Sequence, residues 1–249
     1  MNIPLSFIQA DPEQRTLATR GFLLVEPTTL VYAPELATLG MRACTPRVLA
    51  HREELMPRLI NLSELDPVDH QIAADHWHAE INVERPPVVC AWIDSTADTD
   101  ELAAHIAHYL IGPNEDGNAV FWRYYDPRVF VLTLKILGTD QRQALLGPIT
   151  SWQFAWAGHR WRVAGPNAEY AATEVITGWP RPEQWPRINR SEVADQIRRR
   201  LPSLTIQQAA QLPAVLDELL LAAAPDDGPA NVDVVVDDVW QHLSRDIAG

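Results

Sequence analysis

The run Val88-Val89-Cys90-Ala91-Trp92-Ile93 contains no polar position, the pattern of a strand covered on both faces at the centre of a sheet. Phe22-Leu23-Leu24-Val25-Glu26 predicts a second buried strand, and 58–62, around Leu59 and Ile60, a third. A helical signal opens at Asp66-Pro67. Aspartate can accept hydrogen bonds from the free amides of a first helical turn, and proline at the first position forfeits no bond. That helix is expected to run toward Asn82 and to end before Pro86-Pro87.

A further helix is expected over about 99–110. At roughly 100° per residue, Leu102, Ile106, Tyr109 and Leu110 share one face, His105 borders it and His108 points away. Residues 112–117 are turn-rich, and 119–125 predict a strand that ends at a second Asp-Pro start, Asp126-Pro127. The helix over 127–137 is apolar almost all round and so should be buried against the sheet. A short helix over 140–146 closes at Gly147-Pro148. Segments 151–156 and 159–163 then alternate as a hairpin around Ala157-Gly158, with Trp152, Phe154 and Trp156 on one face.

Beyond Gly178 the pattern changes. Pro180, Pro182 and Pro186 make a stiff connector, and helices are expected at 190–201, 205–224 and 232–247, with Pro202 and Pro213 as breaks or kinks. The pattern as a whole predicts an α/β (α+β) fold. A mixed sheet lobe with packed helices occupies 1–180, and a small all-helical C-terminal lobe occupies 181–249.

Composition narrows the function classes. The formal net charge of −13 repels phosphate backbones and anionic membranes at long range, so neither nucleic acid nor membrane is expected as a partner. No apolar run approaches the ~20 residues of a membrane span. The opening 1–11 lacks a basic segment and a continuous apolar stretch, so the cytoplasm is the expected location. Cys44 and Cys90 are too few for a disulfide framework, and Cys90, inside an apolar run, reads as a small buried hydrophobe in a reducing compartment. Lys135 is the sole lysine. The other cationic side chains are arginines, whose planar fork suits carboxylate pairing, although base composition of a genome produces the same skew.

Candidate chemistry is sparse. His70, Asp75, His76, His78 and Glu80 are close in sequence. On a strand, His76, His78 and Glu80 would share a face and could hold a metal. On a helix, His76 and His78 are roughly 200° apart and only His76 and Glu80 align. Ser95 follows a strand but lacks the flanking glycines of a nucleophile elbow. Glycine-rich phosphate loops are missing from the sequence. Neither a catalytic residue, a metal nor a cofactor is expected. The size of the nine tryptophans explains them as core without any ligand, with the alternative that some face a partner.

The run Phe121-Trp122-Arg123-Tyr124-Tyr125-Asp126-Pro127-Arg128-Val129 predicts a strand–helix corner in which Asp126 caps the helix and Arg123 and Arg128 flank the carboxylate. Trp122, Arg123, Tyr125, Asp126 and Arg128 are the candidate binding corner. With Leu132–Leu137, Gln141–Leu145 and Leu146-Gly147-Pro148-Ile149, this run resembles the hallmark of the type VI secretion effector chaperones, adaptors of the Tec or Tap kind. The likeness is specific over about 85–150. One departure is Leu24-Val25-Glu26-Pro27-Thr28, where that family usually carries an aspartate-glycine turn. The resemblance implies a non-enzymatic protein that binds an effector and helps load it onto the secretion spike protein. Two other readings stand beside it: a metal-dependent hydrolase using His70, His76, His78 and Glu80, and an immunity-type protein that caps a toxin.

Overall fold

The computed structural model describes residues 8–10, 17–166, 177–222 and 232–245. Its frame is a seven-stranded sheet whose neighbouring strands are all antiparallel. The strands are β1 (Ile8–Ala10), β2 (Phe22–Val25), β3 (Arg42–Ala43), β4 (Arg58–Asn61), β5 (Val89–Ser95), β8 (Ile149–Trp156) and β9 (His159–Ala164), in the spatial order β1-β9-β8-β5-β2-β4-β3. A separate hairpin pairs β6 (Ile111–Pro113) with β7 (Ala119–Phe121). The helices are α1 (Pro67–Ala79), α2 (Thr99–His108), α3 (Pro127–Ile136), α4 (Thr139–Leu146), α5 (Trp185–Ile188), α6 (Ser191–Arg200), α7 (Ile206–Ala222) and α8 (Val232–Arg245).

β2 and β5 lie at the centre, and their unbroken apolar runs follow from cover on both faces. On one side Leu23, Val25, Ile60 and Trp92 pack with Ala73, Ala74 and Trp77 of α1. On the other, Phe22, Leu24 and Ile93 pack with Leu102 and Ile106 of α2 and Phe130 and Leu134 of α3. A two-sided apolar strand thus arises here in an antiparallel sheet, because helices cover both of its faces.

The helix starts obey the local chemistry. Oδ1 of Asp66 accepts from the amides of Val68 and Asp69 (2.8 and 2.9 Å), and Asp98 and Glu101 form a reciprocal capping box. α3 is buried nearly all round because it lies between the sheet and the C-terminal helices, contacting α5, α6 and α7 as well as β8. At the β8–β9 turn both Ala157 (φ 52°) and Gly158 (φ 77°) are left-handed, the geometry that matches the twist of a two-residue hairpin.

Two expectations need correction. The strand predicted over 119–125 stops at Phe121, and Trp122–Asp126 form a turn in which the Asp126 amide donates to the Arg123 carbonyl (3.0 Å). The aromatics after Phe121 fill the core instead of extending a ladder: Trp122 packs beside Trp179 and Trp185, and Tyr124 beside Trp152. The loop expected at 112–117 is tighter than a loop, forming the ends of the β6–β7 hairpin around Asn114, whose side-chain oxygen accepts from the amides of Asp116 and Asn118. Residues 27–55, assigned no element from sequence, form short 3-10 turns and the edge strand β3. Among the described residues no helix is long and apolar enough to cross a membrane. The last turn expected of the final helix, 246–247, lies outside the described residues, as do 223–224 of the preceding one.

Candidate functional site: an arginine–carboxylate corner and the cleft beside it

At the start of α3, Asp126 is 2% exposed and serves two purposes at once. Its Oδ1 accepts from the Arg128 amide (3.0 Å), capping the helix, and from Arg128 Nε (2.9 Å), while Oδ2 accepts from Arg128 Nη2 (2.5 Å). This is a two-pronged guanidinium–carboxylate pair, a geometry that arginine supplies and lysine cannot. Its position follows from local sequence: Pro127 fixes the first helical residue, and Arg128 is near enough in the chain to fold back on the cap.

A second buried carboxylate completes the corner. Glu26, at the end of β2 and 1% exposed, accepts from Arg123 Nη2 (2.9 Å) and from the Tyr125 hydroxyl (2.8 Å) through Oε2. Its Oε1 accepts from the Thr28 amide and hydroxyl, capping the following 3-10 turn. Arg123 Nη2 also reaches Asp126 Oδ2 at 3.4 Å and so bridges the two acids. Burial works against the charge of Arg123, but Glu26, Tyr125 and Asp126 together hold its pKa above the usual arginine value. Arg128 is raised chiefly by its hydrogen bonds to Asp126. Burial, then the charge of Glu26, pushes the Tyr125 phenol up. Behind the corner the Cys90 thiol is pushed well up by burial and by the carboxylates of Asp126, Glu26 and Glu80.

Of the five residues proposed from sequence, the structure brings Arg123, Tyr125, Asp126 and Arg128 together. Trp122 stands apart in the aromatic cluster with Trp179 and Trp185, 3% exposed. Glu26 is the member that sequence reasoning did not include. The signal was present: a glutamate ends an otherwise apolar strand, in the place where the resembled family carries a different turn.

The histidine cluster does not converge. The helical alternative holds, and each side chain finds its own partner: His70 Nε2 lies 3.1 Å from the Ala18 carbonyl, His76 Nε2 3.4 Å from Glu35, and His78 Nδ1 3.4 Å from Arg160 Nη2. Glu80 accepts from the amides of Val88 (2.9 Å) and Val89 (3.1 Å), and burial raises its pKa against those bonds and Arg85. His76 and Glu80 thus have different partners despite sharing a helical face. Among the described residues no three His, Cys, Asp or Glu side chains are grouped to hold a metal ion. Arg160, buried on β9, donates to the Trp77 carbonyl (3.0 Å) and stacks 4.3 Å from that indole, fastening the end of α1 to the sheet. Ser95 donates to the Pro148 carbonyl (3.0 Å) and accepts from the Ala97 amide, the contacts of a loop serine.

Next to the corner lies a half-open cleft of about 410 Å³. One wall is the segment from Glu80 to Val89, the other the β8–β9 turn and the end of α6 with the residues that follow it. Arg85, Arg128, Arg198 and Arg199 line it, together with Glu80, Glu84 and Asp195. Asp195 of α6 is the focus of this wall: Arg198 Nε is 3.0 Å away, Arg199 Nη2 2.8 Å and Arg128 Nη1 3.9 Å. The corner therefore continues into the cleft through Arg128.

Residues 45–144 match the family described as Domain of unknown function (DUF4123). The matched segment runs from the exit of β3 into α4 and contains Arg123, Tyr125, Asp126 and Arg128, but not Glu26 or Asp195. No curated protein and no solved structure matches the chain.

Proposed function

We propose that the protein is a cytoplasmic, non-enzymatic adaptor chaperone that binds a type VI secretion effector and helps load it onto the spike protein. One observation carries this reading. The family match at 45–144 spans the aromatic and arginine-rich run with its Tyr-Asp-Pro-Arg turn, the same segment on which the resemblance to the effector chaperones rests. The geometry is compatible with it. The motif side chains are engaged with one another, which suits a rigid scaffold that presents a surface. The metal-hydrolase alternative has lost its arrangement, because its four residues are directed to four separate partners.

The test is co-expression of the full chain with the proteins encoded beside its gene, any large toxin-like one first, followed by affinity capture and size-exclusion chromatography. The expected outcome is a stable complex, with the toxin poorly soluble or poorly exported when expressed alone. A toxin that is neither bound nor altered in export by the chain would refute the adaptor. Relief of toxicity inside the producing cell, with export unchanged, would instead establish the immunity role.

A further inference from the structure

The cleft beside the corner has more arginine donors than its own acids occupy. Asp195 is approached by three guanidinium groups, and its two oxygens cannot satisfy all of their N–H groups. Among the described residues Arg198 hydrogen-bonds only through Nε, so its Nη1 and Nη2 are left for solvent or a ligand. Arg128 has Nε and Nη2 on Asp126, while its Nη1 only approaches Asp195. Arg85 donates to the Pro86 carbonyl and to Glu80, and its guanidinium lies 5.3 Å from the Tyr32 ring at the outer surface. Arg200, the next residue along α6, is engaged elsewhere, with Asp233 of α8.

Charge and apolar surface both describe the occupant. Four arginines line the cleft against three lining acids and Asp126 behind Arg128, so on a chain whose formal net charge is −13 the cleft lacks the acidic excess of the whole molecule. Val83, Trp156 and Leu204 line the same cleft. An enclosed small-molecule pocket is mostly apolar with a few polar groups, whereas arginine interleaved with apolar patches on a half-open surface characterises protein docking sites. Guanidinium forks select carboxylates, and the overall negative charge disfavours nucleic acid.

We infer that this cleft seats an extended polypeptide segment of the partner protein in which acidic residues alternate with apolar ones, the carboxylates pairing with Arg198, Arg199 and Arg128. The inference rests on the adaptor reading for the partner's identity but not for its chemistry. Arg128 belongs to both the corner and the cleft, so an occupied cleft abuts the start of α3.

The experiment uses the whole chain and two fluorescein-labelled peptides of equal length, one alternating glutamate with leucine and one alternating lysine with leucine. Binding is read by anisotropy at low and high salt. The acidic peptide is expected to bind, more weakly as salt rises, and the double variant R198E/R199E to lose at least about tenfold in affinity. Ser203→Glu, at an exposed cleft position with no hydrogen bond to disturb among the described residues, is expected to lose about threefold. It decides the matter if R198E/R199E melts early. Equal binding of the two peptides, or undiminished binding by Ser203→Glu, overturns the inference. So does a single-stranded oligonucleotide of matching charge that binds more tightly than the acidic peptide. The adaptor reading is separated by a second arm. If the neighbouring toxin is not captured while the acidic peptide binds as expected, that reading fails and the cleft stands. If the toxin is captured equally by the native chain and by Ser203→Glu, the cleft fails and the adaptor stands.

Discussion

Two clusters of arginine and carboxylate lie within one side chain of each other and are built differently. In the corner, two buried acids, Glu26 and Asp126, meet Arg123, Arg128 and the Tyr125 hydroxyl. On α6 a single acid, Asp195, meets Arg198, Arg199 and the far edge of Arg128. The side chain of Asp126 is 2% exposed against 8% for Asp195, while the guanidiniums of the two clusters are exposed alike, 39% for Arg123 and 38% for Arg199. The same ion pairing therefore does two jobs. Where two buried acids are shared by two guanidiniums and one doubles as a helix cap, it fixes the path of the backbone. Where three guanidiniums crowd one acid, it leaves donors for another molecule.

The comparison can be broken most decisively at Asp126. Asp126→Ala removes a helix cap and leaves Arg128 and part of Arg123 without their buried counter-charge, and should cost about 3 kcal/mol. Urea denaturation should show a lower midpoint with an unchanged slope; an unmoved midpoint would mean that the corner is not a clamp. Tyr125→Phe, which deprives Glu26 of one donor while keeping the ring, should cost about 1–2 kcal/mol by the same measurement. A loss as large as that of Asp126→Ala would shift the weight of the corner onto Glu26.

Asp195→Asn should cost only about 1 kcal/mol, because the amide oxygen that remains can still accept from Arg198 or Arg199. The same variant should tighten binding of the acidic peptide, since a competing carboxylate is gone. A stability loss equal to that at Asp126 would erase the distinction between the clusters. The smallest expected effect lies away from both. Burial lowers the pKa of His105 below 6.5, against its bond to the Leu145 carbonyl (2.9 Å). The unfolded chain therefore binds the proton more readily, and stability falls as pH drops below about 6.5 toward the folded-state value. Thermal melts between about pH 7.5 and 5.5 should show this slope, and His105→Gln should flatten it. An equal slope in the variant would assign the dependence to other groups, with His78, also lowered by burial and by Arg160, as the next to examine.

What could be read from the sequence was local. Asp66-Pro67 and Asp126-Pro127 announce helix starts through contacts made within three residues, and Ala157-Gly158 announces a hairpin through backbone conformation alone. The all-round apolar character of α3 foretold burial without naming what buries it; the C-terminal helices turned out to supply the second side. Strand-like composition misled at 122–125, because the aromatic residues that favour strands also tile a core at a turn. Glu26 meets its partners across nearly a hundred positions of chain, and Asp195 meets Arg128 across more than sixty. No pattern of neighbours encodes such meetings. They follow from strand order, which places the end of β2 against the start of α3.

One detail of the interior supplies a clock. Cys90 sits on the central strand β5 and Cys44 just beyond the edge strand β3, and both thiols are wholly shielded in the folded chain. An alkylating reagent can reach either only through a fluctuation that parts the layers. The two rates therefore time separate events: fraying at the rim of the sheet and rupture of its middle. Occupancy of the neighbouring surface by a bound segment should slow the second more than the first, which makes covalent labelling a reporter of how far an encounter at the exterior is felt inside.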